Sequence, residues 1–364
     1  MSAEGGQPEI SVIIAAWRAE ATIGAAVRSA LAQVGAPALE VIVVDDASPD
    51  ATADAASEVS SGDPRLVIDT LPQNSGPSAA RNRGLHLAKG RYAAVLDADD
   101  TMAPERLARL YQLAEDTGAD IVADNLLRAP VPYNERQAGP FLKPQAIGEG
   151  VEIGLDDYLD PASDERFGGS LGYLKPLFRI APLKRARATY DETLRNSEDF
   201  FFVADRLADG ARFFIGPWTD YRYTIHDGSI SHRLSPDTAM AVMRAHRAFE
   251  RRHIDRLSAA ARRSLKKREH AWRNAALFES LVQDLKNNAP LTAFARVAGT
   301  PASFGYVAHR FISIAGNKLR PNQTRRTRGA WPPRCPYSAH RSRPCACTDA
   351  PSIPENSRVP ASGR

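Results

Sequence analysis

Cysteine is nearly missing from this 364-residue chain: Cys335, Cys345 and Cys347 are the only three, and all fall close to one end. No pair is available to staple the body, so a reducing compartment fits. Long apolar runs are missing as well. No uninterrupted stretch approaches the roughly 20 residues that a membrane-spanning helix needs, and the opening MSAEGGQPEI lacks the basic and apolar segments of a signal peptide. The expected location is the cytoplasm, with room for peripheral contact at the inner face of the cytoplasmic membrane. A strong charge of one sign is lacking too. The formal charge is +4, but after Pro321 eight Arg face only Asp349 and Glu355, which leaves residues 1–320 at −2. That balance excludes nucleic-acid binding driven by overall charge, and no motif in the Arg-rich tail supports it.

What is present describes a folded protein. Hydrophobic residues make up 43% and charged residues 25%, the balance of a globular chain able to bury a real core. The first 130 residues alternate strand-like apolar runs with helical patterns, as stacked βαβ units around a mostly parallel sheet do. Strands are expected at 10–15, 41–45, 66–69, 92–96 and 120–123, and helices at 19–33, 51–59, 77–88 and 104–116. Asp50 is placed to cap the second helix and Pro104 to open the fourth. From about 130 to 169 the pattern loosens into Pro- and Gly-rich connections with one acidic patch, LDDYLDPASDE. Periodicity resumes in FGGSLGYLKPLFRI and in RNSEDFFFVADRLADG. Between Arg244 and Arg273, eleven Lys or Arg stand against Glu250, Asp255 and Glu269. Such a face is either plainly solvated or attracted to an anionic membrane. Residues 321–364 are Pro-, Arg- and Ser-rich without periodicity and are expected to be disordered. The CxC within them is too little for a zinc site.

Chemistry concentrates where the apolar run AAVLDADDTMAP ends in Asp97, Asp99 and Asp100. Carboxylates this close repel one another unless something positive sits among them, and a divalent cation is the usual solution. Oxygen ligands without Cys or nearby His favour Mg²⁺ or Mn²⁺, whose coordination diphosphate oxygens commonly complete. A solvated turn before a helix is the plainer alternative for Asp99 and Asp100. A second pair, Asp45 and Asp46, closes another strand in EVIVVDDASPD. A carboxylate at the carboxyl end of a parallel strand is well placed to meet a ribose or a base. Between these lies NSGPSAARNRG, where Gly76 and Pro77 lead into a helix carrying Arg81 and Arg83 near its start, a combination suited to phosphate.

The ordered set SVIIAAWRAEATIGAAVRSALAQ, EVIVVDDASPDAT and NSGPSAARNRGLHLAKGRYAAVLDADD resembles the donor-binding half of the inverting family 2 glycosyltransferases, across roughly residues 8–128. Weaker similarity continues through LGYLKPLFRI, SEDFFFVADRLADG and YRYTIHDGSISHR to the acceptor half of exopolysaccharide enzymes of the family, the succinoglycan-type glucosyltransferases among them. The resemblance implies an α/β GT-A fold: a Rossmann-like, mostly parallel sheet flanked by helices. It divides the chain into a transferase domain at 1–240, with donor and acceptor halves at 8–128 and 129–240, a basic helical extension at 241–320 and the tail. It further implies that Ala15 and Trp17 flank the nucleotide base, that Asp46 bonds the base, and that Arg81 holds base or diphosphate. Asp97 would touch ribose or sugar, and Asp99 would ligate the Mg²⁺ or Mn²⁺ that bridges the diphosphate. Many members have Tyr-Asn where this chain has Trp17-Arg18; stacking should survive, since an indole offers at least as large a face.

Inversion is a single displacement in which the acceptor hydroxyl loses its proton as the diphosphate departs. A metal-bound carboxylate is too weakly basic to take it. Glu198-Asp199 is the best remaining pair, and the family pattern puts the base on Asp199; helix capping is the competing role. His232 resembles a position that adds a metal or diphosphate contact in some members, although a lone His is more often structural, and Arg222 and Arg233 stand further back. The implied activity is transfer of a hexose, glucose by resemblance, from a UDP-sugar to a glycan or polyprenyl-diphosphate-linked oligosaccharide. The Q-x-x-R-W of processive polymerases is absent, so one sugar per encounter is expected. Two rival readings remain: a haloacid-dehalogenase-type phosphatase using Asp97 and Asp99 in VLDADDT, and a non-catalytic nucleotide-sugar-binding assembly protein.

Overall fold

The computed structural model describes residues 7–131, 138–225, 235–300 and 303–319. His232 and Arg233 lie outside the described residues, as does the tail from 320 on. Alternating elements open the chain: β1 (Ile10–Ala16), α1 (Ile23–Leu31), β2 (Leu39–Asp45), α2 (Thr52–Glu58), β3 (Leu66–Thr70), α3 (Pro77–Leu87) and β4 (Tyr92–Asp97). β1 and β2 are mostly apolar and buried at every position except the half-buried Ala15, as strands covered on both faces are. Ile23, Ala26, Val27 and Ala30 form the buried stripe of α1 at helical spacing.

Shorter elements follow: β5 (Thr101–Met102), α4 (Arg106–Thr117), β6 (Ile121–Ala123), β7 (Leu126–Pro130), β8 (Gly139–Pro140), α5 (Pro144–Ile147), β9 (Val151–Ile153), α6 (Leu155–Leu159) and α7 (Pro161–Phe167). The acidic patch expected to be an irregular connection is α6 and α7, with Asp160 accepting from the Ala162 amide at 3.1 Å as the cap between them. The chain then forms β10 (Leu177–Arg179), α8 (Ile180–Arg185), α9 (Glu198–Ala208), β11 (Phe213–Ile215) and β12 (Tyr221–Ile225). Four helices complete it: α10 (Pro236–Arg252), α11 (Ala259–Lys286), α12 (Pro290–Ala298) and α13 (Phe304–Leu319).

Eight strands build the main sheet in the order β3-β2-β1-β4-β10-β6-β11-β9. The β3–β2–β1–β4 half is parallel, β10 inserts antiparallel between β4 and β6, and β9 closes the edge antiparallel to β11. A second sheet, β5-β12-β7-β8, lies beside it. Register sets Ala15 of β1 against Asp97 of β4, and Ala16 against Asp45 of β2, so the three strands end together. Helix α3 approaches this edge closely: a Cβ on Gly84 would stand 2.4 Å from Ile13 Cγ2, so only glycine fits there.

Two expected caps are corrected. Asp50 does not cap α2, whose N-cap position is Ala51; its carboxylate instead accepts from the Thr52 hydroxyl at 2.6 Å and the Glu20 amide at 3.4 Å, tying the β1–α1 loop to β2. Pro104 precedes α4 rather than opening it, because Glu105 takes the N-cap position and Arg106 the first turn. Arg106 is needed inside: its Nε donates to Asp124 at 2.9 Å, both side chains 1% exposed.

Candidate active site

The strand ends bring the donor-side residues together. Asp46, buried just past β2, accepts from the Asn74 side chain at 2.8 Å and from the Ser75 and Gly76 amides at 2.7 Å each. It organises the loop that leads into α3, and a base would have to share a carboxylate already serving three donors. Gly76 in that loop has φ +95°, the left-handed region, and a Cβ there would sit 2.0 Å from the Arg195 guanidinium. Trp17 is 42% exposed past the end of β1, and the Arg18 guanidinium lies over its ring, 4.6 Å from the centroid, so a stacking base would have to share the ring with Arg18 or displace it. Ala15 lies between Asp97 and the end of β2 in the sheet.

The centre of the site is an ion-pair cluster. Arg81, on α3, donates to Asp97 Oδ1 at 2.9 Å and to Glu198 Oε1 at 2.7 Å, and stands 3.5 Å from Asp199 Oδ1. Lys175, just before β10, holds Asp97 Oδ2 at 2.8 Å and Asp199 Oδ2 at 2.7 Å. Two cations therefore join the end of β4 to the first turn of α9. Glu198 and Asp199 are not that helix's cap: Ser197, at φ +66°, takes the N-cap position without a side-chain cap, which frees both acids to face the cluster. Burial pushes the Asp97 carboxyl up, but Lys175 and then Arg81 outweigh it and hold the group at about 2. Burial likewise opposes the Lys175 charge, yet Asp199 and Asp97 keep its ammonium well above the ordinary lysine range. Arg81 Nε, buried, has no hydrogen-bond partner among the described residues.

Asp100 is not the start of a solvated turn. It is 1% exposed, and accepts from the Tyr221 hydroxyl and the Thr224 amide, both at 2.7 Å. The Tyr221 oxygen in turn accepts from the Asp97 amide at 3.1 Å. The third carboxylate of the run thus staples the second sheet to the end of β4. Burial, then Asp99 and Asp97, push its pKa well up. Asp99 is half-buried between these two fixed acids.

Among the described residues no group of three or more His, Cys, Asp or Glu gathers into a metal site. Asp99 could offer one carboxylate to a hard cation that arrives with its substrate, because Mg²⁺ characteristically takes one or two carboxylates and completes its shell with phosphate oxygens and water. Arg83 stands apart, paired with Asp69 at 2.8 Å on β3, and Arg222 is exposed on β12.

Residue-by-residue reading missed Lys175, Arg195 and Tyr221. Lys175 carried a signal: a cation set between the apolar residues of LGYLKPLF must find a counter-charge if it is buried. Nothing local marks Tyr221, whose partners lie 121 and 124 residues away.

Residues 11–155 match the profile of glycosyl transferase family 2. The succinoglycan biosynthesis protein ExoO of Rhizobium meliloti (strain 1021) is 34% identical over 89% of this chain and 92% of its own. An Escherichia coli UDP-Glc:alpha-D-GlcNAc-diphosphoundecaprenol beta-1,3-glucosyltransferase, WfaP, is 37% identical over 29% of this chain and 41% of its own. Among solved structures, Staphylococcus aureus TarS 1–349 in complex with UDP-GlcNAc aligns over 75% of this chain and 80% of that one, with a TM-score of 0.55 and 21% identity. The chain belongs to the family 2 glycosyltransferases. Its fold is the mixed α/β arrangement of the GT-A enzymes, and it is a transferase. The phosphatase and non-catalytic readings fall with that assignment.

Proposed function

We propose that the protein is an inverting, non-processive glycosyltransferase that moves a hexose, glucose in the first instance, from a UDP-sugar to a lipid-linked oligosaccharide in succinoglycan-type polysaccharide assembly. The observation that carries this reading is the cluster itself. Asp97 at the end of β4 and Asp199 at the head of α9 are bridged by one ammonium group, so the expected donor edge and the expected base belong to one ion-pair cluster. The names of the ExoO and WfaP relatives support the polysaccharide and the lipid-linked acceptor; the UDP-GlcNAc complex of TarS supports a UDP-sugar donor.

In the proposed reaction Trp17 stacks on the base and Asp46 fixes the loop beneath it. Arg81 and Lys175 hold Asp97 ionised at the sugar's edge. Asp199 takes the proton of the acceptor hydroxyl as that oxygen bonds to the anomeric carbon and the bond to the UDP oxygen breaks, inverting the configuration. Asp99 would hold Mg²⁺ or Mn²⁺, which supplies positive charge for the departing diphosphate. His232, outside the described residues, is proposed as a further ligand on resemblance alone.

The test is release of UDP from UDP-glucose by the purified chain, with a polyprenyl-diphosphate-linked acceptor and Mn²⁺. The reading predicts acceptor-dependent release that EDTA abolishes and that Asp99→Ala loses. Turnover untouched by EDTA and by that substitution would remove the metal from the proposal, and no release with any UDP-hexose would remove the donor.

A further inference from the structure

We propose that α11, α12 and α13 form a docking surface for an anionic lipid bilayer. Ten large apolar side chains are exposed among the described residues, and five of them fall within 28 residues at this end: Leu285, Leu291, Phe294, Phe304 and Ile312. The burial of α12 is inverted for a helix packed on a soluble core. Its small Ala293 is buried at 6% while Leu291 and Phe294, one turn apart, are 85% and 74% exposed. A helix that needed only to pack against α11 would put those two side chains inward. The contacts that hold this corner are correspondingly small: Leu281, Ala293 and Val307 make a separate minor core, and Ser303 donates to Asn274 at 2.7 Å.

The charge among these apolar side chains is predominantly positive, although Arg296 is paired with Asp284 at 2.6 Å and Arg310 faces Glu279. From Leu285 to Leu319 the sequence holds no Asp or Glu, while Lys286, Arg296, Arg310 and Lys318 fall in that span. Upstream on α11, Arg263, Lys266 and Lys267 are exposed at positions i, i+3 and i+4, and none of the ion pairs between described residues engages them. At about 100° per residue, positions 11 and 18 beyond Arg263 return to within roughly 20° of the same face. Those positions are Asn274 and Leu281, the residues on which α13 and α12 sit. The free cations and the two helices with outward Leu, Phe and Ile therefore share one flank of α11.

An anionic bilayer suits both halves of that flank. Each Lys or Arg near such a surface adds about fivefold to binding, and aromatic and aliphatic side chains enter the headgroup boundary beside them. A second copy of the chain would set positive flank against positive flank and is disfavoured on that ground. No helix among the described residues is long and apolar enough to cross the bilayer, so the contact is superficial.

Vesicle binding is read without substrate, so this proposal stands or falls apart from the donor and acceptor assignment. The full chain is sedimented with vesicles of phosphatidylcholine alone or with about a third phosphatidylglycerol. The expected result is partitioning at least tenfold stronger onto the anionic vesicles and weakened in high salt. Leu291→Ser with Phe294→Ser and Phe304→Ser, and separately Lys266→Glu with Lys267→Glu, should each lower it tenfold or more. Melting temperature and UDP release in solution should stay at parental values, since these side chains are exposed and remote from the ion-pair cluster in the sequence. Equal sedimentation with both vesicle types, or anionic binding indifferent to both variants, would overturn the proposal. So would a concentration-dependent dimer in light scattering that the serine variant dissolves, which would identify a second copy as the occupant.

Discussion

Replacing Lys175 by methionine should destabilise the fold by about 3–5 kcal/mol, the usual cost of removing one partner from a buried ion pair. Methionine matches the length of the lysine stem and can fill its space, so the loss isolates the charge. The ammonium lies 2.8 Å from Asp97 and 2.7 Å from Asp199, with only 8% of the side chain exposed. Without it Asp97 keeps Arg81 alone, and Asp199 keeps a single contact at 3.5 Å. The pH dependence should move as well. Folded Asp97 titrates at about 2. Against roughly 3.9 in an exposed chain, that shift is worth about 2–3 kcal/mol. Because the folded value is the lower one, this stability is complete above about pH 4 and is lost as pH falls through the folded pKa. Removing Lys175 raises the folded value, shrinks the contribution and starts acid unfolding at higher pH. Urea denaturation followed by circular dichroism from pH 7 down to 2.5 measures both effects. A Lys175→Met protein within 1 kcal/mol of the parent at pH 7, with the same acid limb, would show that Arg81 alone neutralises the cluster and would refute the reasoning.

Asp199→Asn should leave UDP-sugar binding within a few-fold of the parent by calorimetry while turnover falls about 10²–10⁴-fold, the usual share of a general base; near-parental turnover would reassign the base. Tyr221→Phe strips a hydrogen bond from buried Asp100 and one from the Asp97 amide, and should cost about 1–3 kcal/mol in urea denaturation; a loss below half a kcal/mol would mean that Asp100 finds another donor. His246, on α10, is buried against Phe201; burial, then Arg268, lower its pKa to about 3. The unfolded chain binds that proton near pH 6.5, so this residue makes stability fall as pH drops from about 6.5 toward 3. His246→Phe should flatten the decline in melting temperature between pH 7 and pH 4.5, and an unchanged decline would place its origin elsewhere.

The βαβ run is legible because strands covered on both faces are almost uniformly apolar, as ISVIIAA and LEVIVVD are, and because turn residues separate them cleanly. The strand ends, and with them Asp46, Asp97 and Asp99, could be placed on that basis alone. Local capping was less legible. Asp50 has the residue type of a cap, but the backbone left Ala51 in that position and used the carboxylate to fasten a neighbouring loop. Residues 138–167 hide their elements because five short segments, none longer than seven residues, give periodicity too few turns to show. The partners of Asp97 and Asp100 were hidden for a different reason. Lys175 and Tyr221 act across the fold, and their distance along the chain from the run they serve leaves no pattern to read.

Those long-range partners bear on the expected division into a donor half and an acceptor half. Read in order, a donor half ends near residue 128 and an acceptor half follows it. In the folded chain Arg81 and Asp97 of the first half share their charges with Lys175, Glu198 and Asp199 of the second. Arg81 and Asp97 match one cation to one acid, but the second set alone would leave two acids facing one ammonium in largely buried surroundings. Since an uncompensated buried charge costs several kcal/mol, Glu198 and Asp199 need Arg81 from the earlier segment as well as Lys175, and Lys175 in turn adds to Arg81 in holding Asp97 ionised. The ion pairs that neutralise these acids thus set the end of β4 against the expected base, so an arrangement with the segments apart would leave the head of α9 with an uncompensated carboxylate and no base in place.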